Sequence, residues 1–353
     1  MSDIFLDGMG GGREDTLEMY TQPYTLRYVR TDGPACYHCY GRCVNKERLL
    51  GDDEAKDRFV WELRRVADFC GVEVLTYCLM SNHFHILVRV DPAVREVADE
   101  ELVRRFRALY GEDKCPYINM NARRVAATLA TESSDAEELR AHLRGRMGSL
   151  AGLMKTLKQR YTVWYNGERG RVGTLWAERF KSCMVQDSPQ VLRVVGAYIE
   201  LNPVRAGLVE RAEAYRWSGY GAAMGGAGSR GLREWARDGI LSMLGRESSP
   251  ETFDCDRFVD SYGRLLAVKD DVGQEGFRKG ADPFSEACLE PAPMLRQIPE
   301  FLRGAVVGTR DFVAAYLSLD LGKSMQPSAE VLPESGLRSA RRPRVRSLPP
   351  DSG

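Results

Sequence analysis

The sequence predicts an α+β fold, and three observations carry that expectation. Residues 36–44 alternate like a strand and residues 53–70 then carry apolar side chains at helical spacing. Two β-rich runs, VEVLTYCLM and HFHILVRV, meet at Ser81-Asn82, as the arms of a hairpin do. Residues 93–161 are then mainly helix formers.

The elements follow in chain order. Residues 1–24 hold four glycines and several acids without apolar periodicity, which reads as a mobile arm. After the strand from Cys36 to Val44, the helix from Asp53 to Cys70 places Phe59, Leu63, Val66 and Phe69 on one face. Asp91-Pro92 ends the second hairpin strand, and a helical insertion over about 93–150 follows. The Gly-, Trp- and Arg-rich stretch from Tyr161 to Lys181 reads as loop or short ribbon. Ser188-Pro189 fits an N-cap and first helical position, and Val191, Leu192, Val195 and Ile199 form an apolar stripe ending at Asn202-Pro203.

Past Trp217-Ser218-Gly219-Tyr220, the run GAAMGGAGS marks a boundary. Residues 231–320 read as several helices, the last starting near Thr309 and carrying Phe312, Val313 and Tyr316. From Lys323 the chain is rich in Pro and Ser, with five arginines between Arg338 and Arg346 and no apolar period, the signature of a disordered tail. The expected organisation is an arm (1–24), a main domain (25–222), a mostly helical extension (223–322) and a basic tail (323–353).

Composition narrows the function. The 353 residues hold 50 Lys+Arg against 50 Asp+Glu, so the chain is not a wholesale basic nucleic-acid binder. No run of eighteen apolar residues occurs and the N-terminus lacks a secretory core, which points to a cytoplasmic protein. The nine cysteines are odd in number and scattered, so reduced thiols are expected. Cys36, Cys39 and Cys43 have zinc-like spacing, but strand alternation sends Cys36 and Cys39 to opposite faces.

Three groups of residues bear chemistry. Of four histidines, His83 and His85 project from the same strand face, about 7 Å apart, a separation two imidazoles can close onto one ion. Two solvated histidines on a polar face give the same pattern. Tyr198 and Asn202 lie one helical turn apart. The Asn202 amide oxygen suits a hard cation beside the Tyr198 phenol, or Asn202 simply caps the helix before Pro203. The segment from Lys155 to Lys181 holds seven basic residues (Lys155, Lys158, Arg160, Arg169, Arg171, Arg179, Lys181) against two acids, interleaved with Tyr161, Trp164, Tyr165 and Trp176. Cations with aromatic faces are the ingredients of a single-strand DNA surface, and a solvated helix with a packed loop has the same composition.

Read together, these residues resemble the single-tyrosine HUH transposases of the insertion-sequence-200-like group, especially the REP-associated tyrosine transposases. The resemblance rests on YCLMSNHFHILV around His83-Phe84-His85, on YIELNPVRAGLV (198–209), and on WSGY shortly after it. GTLWAERFKS (173–182) and YHCYGRCVNKERLL (37–50) also fit, so coverage runs from about 26 to 222. It implies a ferredoxin-like antiparallel sheet with helices on one face, in which His83, His85 and Asn202 hold Mg²⁺ or Mn²⁺. It also implies that Tyr198 attacks a phosphate of single-stranded, hairpin-containing DNA, leaving a 5′-phosphotyrosine and a free 3′-hydroxyl.

Some relatives carry glutamine where Asn202 stands. Relatives include monomers and dimers that exchange tyrosine helices, so a homodimer stays open, and the expected setting is the nucleoid.

The chemistry agrees with this assignment. A phenol with a pKa of about 10 is ionised at roughly one part in a thousand at pH 7, a cost of about 4 kcal/mol. A divalent ion on the phosphate offsets that by positioning and charge neutralisation. Tyr161 and Tyr165 are rival nucleophiles without a ligand-type residue four positions later. His38 is expected to be structural or DNA-facing. The competing expectations are a non-cleaving DNA-hairpin-binding regulator and a metal-dependent RNA nuclease. GAVVGTRDFV (304–313) resembles only a C-terminal segment of longer relatives.

Overall fold

The computed structural model describes residues 29–112, 115, 118–225, 229–245, 262–263, 266, 306–309, 311–315, 328–331 and 337–341. The expected arm, residues 1–24, lies outside the described residues. In chain order the elements are β1 (Ala35–Arg42), α1 (Asp53–Cys70), β2 (Val72–Leu79), β3 (His83–Val90), α2 (Asp99–Tyr110), α3 (Ala122–Leu129), α4 (Ser134–Arg144) and α5 (Leu150–Arg169). Then come β4 (Lys181–Val185), α6 (Pro189–Glu200), α7 (Asn202–Arg205), α8 (Gly219–Met224), α9 (Arg230–Met243), β5 (Val306–Thr309), β6 (Ser328–Val331) and β7 (Leu337–Arg341).

The strands form one seven-stranded sheet in the order β2-β3-β1-β4-β5-β7-β6. The mixed α+β class follows the sequence expectation. Every described pair is antiparallel except β4 with β5, which is parallel.

Helix α1 forms for legible reasons. Asp52 caps it by accepting from the Ala55 backbone N–H at 2.8 Å, and Gly71 ends it in the left-handed conformation at φ 60°. A side chain at Gly71 would also strike Val94 and Arg105. The stripe Phe59, Leu63, Val66 and Phe69 is completely buried, as its spacing predicts. The hairpin turns through Met80-Ser81-Asn82, with the Met80 N–H donating to the His83 carbonyl at 2.9 Å. Helices α2, α3 and α4 form the expected helical insertion, which packs against α1 through α2.

The sheet is covered on both faces, in place of the helices on one face that the resemblance implies. Phe84 points towards α1, where its ring meets Phe59 at 5.1 Å. Its neighbours His83 and His85 point the other way, beneath α6. Glu200 ties α6 down: its carboxylate accepts from the Thr76 hydroxyl on β2 and from the Tyr220 N–H of α8 at 2.8 Å. The WSGY run braces the same edge, for the Leu79 N–H donates to the Trp217 carbonyl at 3.0 Å.

Several expectations are corrected. Residues 161–169 are helical, the continuation of α5, and 181–185 form β4. Glycine at 167 and the bulky aromatics hid the helix, because Tyr161, Trp164 and Tyr165 pack on neighbours that local propensity cannot register. The described residues beyond 222 include strands as well as helices. Helix α9 seats Gly239 directly against the Val74 and Leu75 carbonyls of the edge strand β2, and β5 extends the sheet beyond β4.

The expected disordered tail contains β6 and β7. Pairing partners on an open sheet edge outweigh local composition there. Helical residues 311–315 follow β5, with the Phe312 N–H directed at the Thr309 hydroxyl at 3.4 Å, near the expected cap. Residues 262, 263 and 266 are helical too, and the rest of the stretch from 246 to 305 lies outside the described residues. No described helix is long and apolar enough to cross a membrane.

Candidate active site

Register builds the site. In β1 and β3, Tyr40 pairs with His85 and Arg42 with His83, so these four side chains share one sheet face. Cys78 of β2 and Lys181 of β4 continue the His85–Tyr40 row. His38, two residues before Tyr40, also lies on this face. Its Nε2 sits 2.9 Å from His85 Nδ1, and the two rings are stacked with centroids 5.1 Å apart. The His83 and His85 rings are 5.2 Å apart and nearly perpendicular. His83 Nδ1 is 2.7 Å from Asn82 Oδ1.

Helix α6 brings Tyr198 over this face. Its ring lies 5.8 Å from His85 and 6.1 Å from His38, edge-on to both. The backbone explains how it is held. Pro203 has no N–H to give the Ile199 carbonyl, so α6 breaks at Leu201 and α7 begins at Asn202. The Asn202 side-chain nitrogen fills the gap, donating to the carbonyls of Tyr198 at 3.0 Å and Ile199 at 3.2 Å. Arg205 donates to the Tyr198 carbonyl at 3.0 Å and lays its guanidinium 4.3 Å from the centre of the tyrosine ring. Asn202 therefore does cap the helix, and its Oδ1 is the atom left for a ligand.

Electrostatics keep the imidazoles neutral. Burial pushes His38 down to about 3; burial and then the charge of Arg42 push His83 down to about 4. His85 is held well below its ordinary value by burial first, then by His38, His83, Arg205 and Arg42. Uncharged imidazoles are the form that binds a metal.

The His38–His85 contact also couples their tautomers. For His85 to present a lone pair on Nε2, its Nδ1–H must donate to His38 Nε2, which places the His38 proton on Nδ1. That atom is buried and has no hydrogen-bond partner among the described residues.

The other expected residues are placed differently. Arg169 pairs with Asp52 and Glu54, Arg171 with Glu47, Arg160 with the buried Glu62, and Lys181 with Glu178. Lys158 donates to the Glu178 carbonyl. Trp176 is buried and packs on Phe84, on the face opposite Tyr198, with its indole N–H donating to Thr162 at 3.0 Å. Lys155 and Arg179 are exposed and form no ion pair among the described residues. Of the basic segment, Lys181 shares the site's face through its register with Tyr40.

The rival Tyr161 is completely buried and donates to the Leu49 carbonyl at 3.0 Å, so it is a core residue. Composition missed Tyr40, Arg42 and Arg205 as site residues, and His38, expected to be structural or DNA-facing, lies against His85. Strand alternation in YHCYGR puts His38, Tyr40 and Arg42 on one face, but which strand it pairs with is not readable from sequence.

No protein-family model matches the chain, and no curated protein matches it. Among solved structures, the chain is similar to that of a REP-associated tyrosine transposase bound to a REP hairpin, at 12% identity and a TM-score of 0.34, covering 66% of this chain and 95% of that chain. The likeness is distant.

The donors present fit a divalent ion in their chemistry: two uncharged imidazoles and an amide oxygen, the first buttressed by a further histidine. Among the described residues no group of three His, Cys, Asp or Glu side chains is arranged to hold a metal. A divalent ion bound here would therefore need the Asn202 amide as a third ligand. The described cysteines, including Cys36, Cys39 and Cys43, are all buried free thiols and form no such group either.

Proposed function

We propose that the chain is a tyrosine endonuclease and strand transferase acting on single-stranded, hairpin-containing DNA. The observation that carries this reading is the Tyr198 ring held edge-on to the His85 imidazole, with His83 beside it. A buried, backbone-clamped tyrosine over neutral histidines supports a nucleophilic role. The motifs HFH and YIELN, read as resembling the HUH transposases, point the same way.

In this reading Tyr198 supplies the nucleophilic oxygen. A bond forms between that oxygen and the phosphorus, the bond to the 3′ oxygen breaks, the phenol proton passes to water and the 3′ oxygen takes one up. The phosphoester is conserved, so the 3′-hydroxyl can attack later and rejoin the strand without ATP. Asn202 and Arg205 fix the main chain of Tyr198, which sets the line of attack. His38 orients His85. His83, His85 and Asn202 would hold a Mg²⁺ or Mn²⁺ ion, which when bound would supply charge neutralisation at the phosphate oxygens.

The test is a covalent-adduct assay on an end-labelled hairpin oligonucleotide with Mn²⁺. The parent protein is expected to give a denaturant-resistant adduct, and Tyr198→Phe to bind the DNA without forming one. An adduct that persists in Tyr198→Phe would sink the assignment. Binding by the parent without any adduct would favour the non-cleaving regulator, and cutting confined to an RNA version would favour an RNA nuclease.

A further inference from the structure

We infer that Arg42 and Arg205 form a clamp for one phosphodiester of the strand at Tyr198, an assignment that rests on the function proposed above. The sequence placed the DNA-contacting charge in the segment from Lys155 to Lys181. In the structure three of those seven cations face acids of α1 and of the loop before it. Arg169 meets Asp52 and Glu54, Arg160 meets Glu62, and Arg171 meets Glu47. Their fields are largely spent within the protein.

The charge at the tyrosine comes from elsewhere. Arg42 ends β1 directly opposite His83, on the same face, exposed and without an ion pair among the described residues. Arg205 reaches the site from the opposite side, from α7, with its guanidinium 4.3 Å from the centre of the Tyr198 ring. Both bear on His85, since each lowers its affinity for a proton.

The three imidazoles contribute no charge at neutral pH. No hydrogen bond or ion pair joins a carboxylate to them among the described residues. A phosphodiester brought to Tyr198 therefore meets two guanidinium groups, one from the sheet and one from α7, the short helix after the tyrosine's own. A guanidinium has five N–H donors in a planar fork that matches phosphate oxygens. Arg205 spends one donor on the Tyr198 carbonyl, which couples phosphate binding to the position of the nucleophile.

Fluorescence anisotropy with a labelled single-stranded hairpin oligonucleotide, in EDTA to prevent turnover, across a salt series, tests the assignment. Arg42→Met and Arg205→Met are each expected to weaken binding several-fold. Each should also flatten the slope of log affinity against log salt by about 0.7, the loss of one phosphate contact to a single strand. Arg42→Lys and Arg205→Lys keep the charge and should recover the slope. Arg169→Ala and Arg171→Ala, whose side chains already face acids, should leave it unchanged. Parent-like slopes in both Met variants overturn the clamp while leaving the proposed function standing. Absence of any DNA binding by the parent protein overturns both.

Discussion

His38 Nε2 and His85 Nδ1 lie 2.9 Å apart across β1 and β3, so one buried imidazole sets the orientation and tautomer of the other. Replacing His38 by alanine would leave a buried nitrogen of His85 unpaired, a penalty of roughly 1–3 kcal/mol. The adduct rate and Mn²⁺ affinity are both expected to fall about 10- to 100-fold. Titration of Mn²⁺ followed by electron paramagnetic resonance reads the second quantity without turnover. His38→Gln, whose amide oxygen can accept from His85, should recover part of it. Unchanged Mn²⁺ affinity in His38→Ala would remove His38 from the site.

Acid should destabilise the protein through these histidines. His83 is pushed down to about 4 and His38 to about 3 in the fold, below an ordinary value of about 6.5. Between those values the unfolded chain binds protons that the folded chain refuses. The stability is thus intact above about pH 6.5 and is lost progressively as the pH falls towards 4 and then 3. Denaturant melts at pH 7.5, 5.5 and 4.5 should show this decline, and His83→Gln should make it shallower. An identical slope in parent and variant would contradict the argument.

Glu200 should act with the opposite sign. Burial raises its carboxyl to about 7, against the pull of hydrogen bonds from Thr76, Ser218 and the Tyr220 N–H. The folded state then holds a proton that the unfolded state releases near pH 4.5, so stability declines as the pH rises from about 4.5 to 7. Glu200→Gln keeps an acceptor for the Tyr220 N–H and cannot ionise. Its melting temperature relative to the parent should rise with pH and level off above about 7, whereas a difference constant from pH 5 to 8 would refute the shift.

Arg160 belongs to the core, not to a DNA surface. Glu62 is completely buried between Arg160 on α5 and Arg58 on α1, each 2.6 Å away. Removing one partner of a buried charge typically costs about 3–5 kcal/mol. Arg160→Ala is therefore expected to lower the unfolding free energy by an amount of that order and to leave the salt dependence of DNA binding unchanged at a temperature where it is folded. A stable variant with a weakened salt slope would restore Arg160 to the DNA interface.

Whatever depends on local periodicity was legible in the sequence. The amphipathic α1, the β2–β3 hairpin and the start of α6 at Ser188-Pro189 all follow from spacing and caps over a few residues. So does the common direction of His83 and His85. The end of α5, the strand β4 and the pairing of β5, β6 and β7 did not follow, because a strand is stabilised by partners distant in the chain.

By itself, then, the sequence determined the class of the fold, the shared face of His83 and His85, and the one-turn separation of Tyr198 and Asn202. Only the tertiary structure decided that β1 pairs with β3, which put His38 against His85 and Arg42 beside His83. It also decided that the conspicuous basic segment meets acids 98 to 124 residues away in the chain, while Arg205 lies on the tyrosine. The physical reason is the same in each case. Direction along a strand or helix is fixed by backbone geometry within a few residues, whereas the partner of a charge or a lone pair is fixed by packing between segments that sequence spacing does not relate.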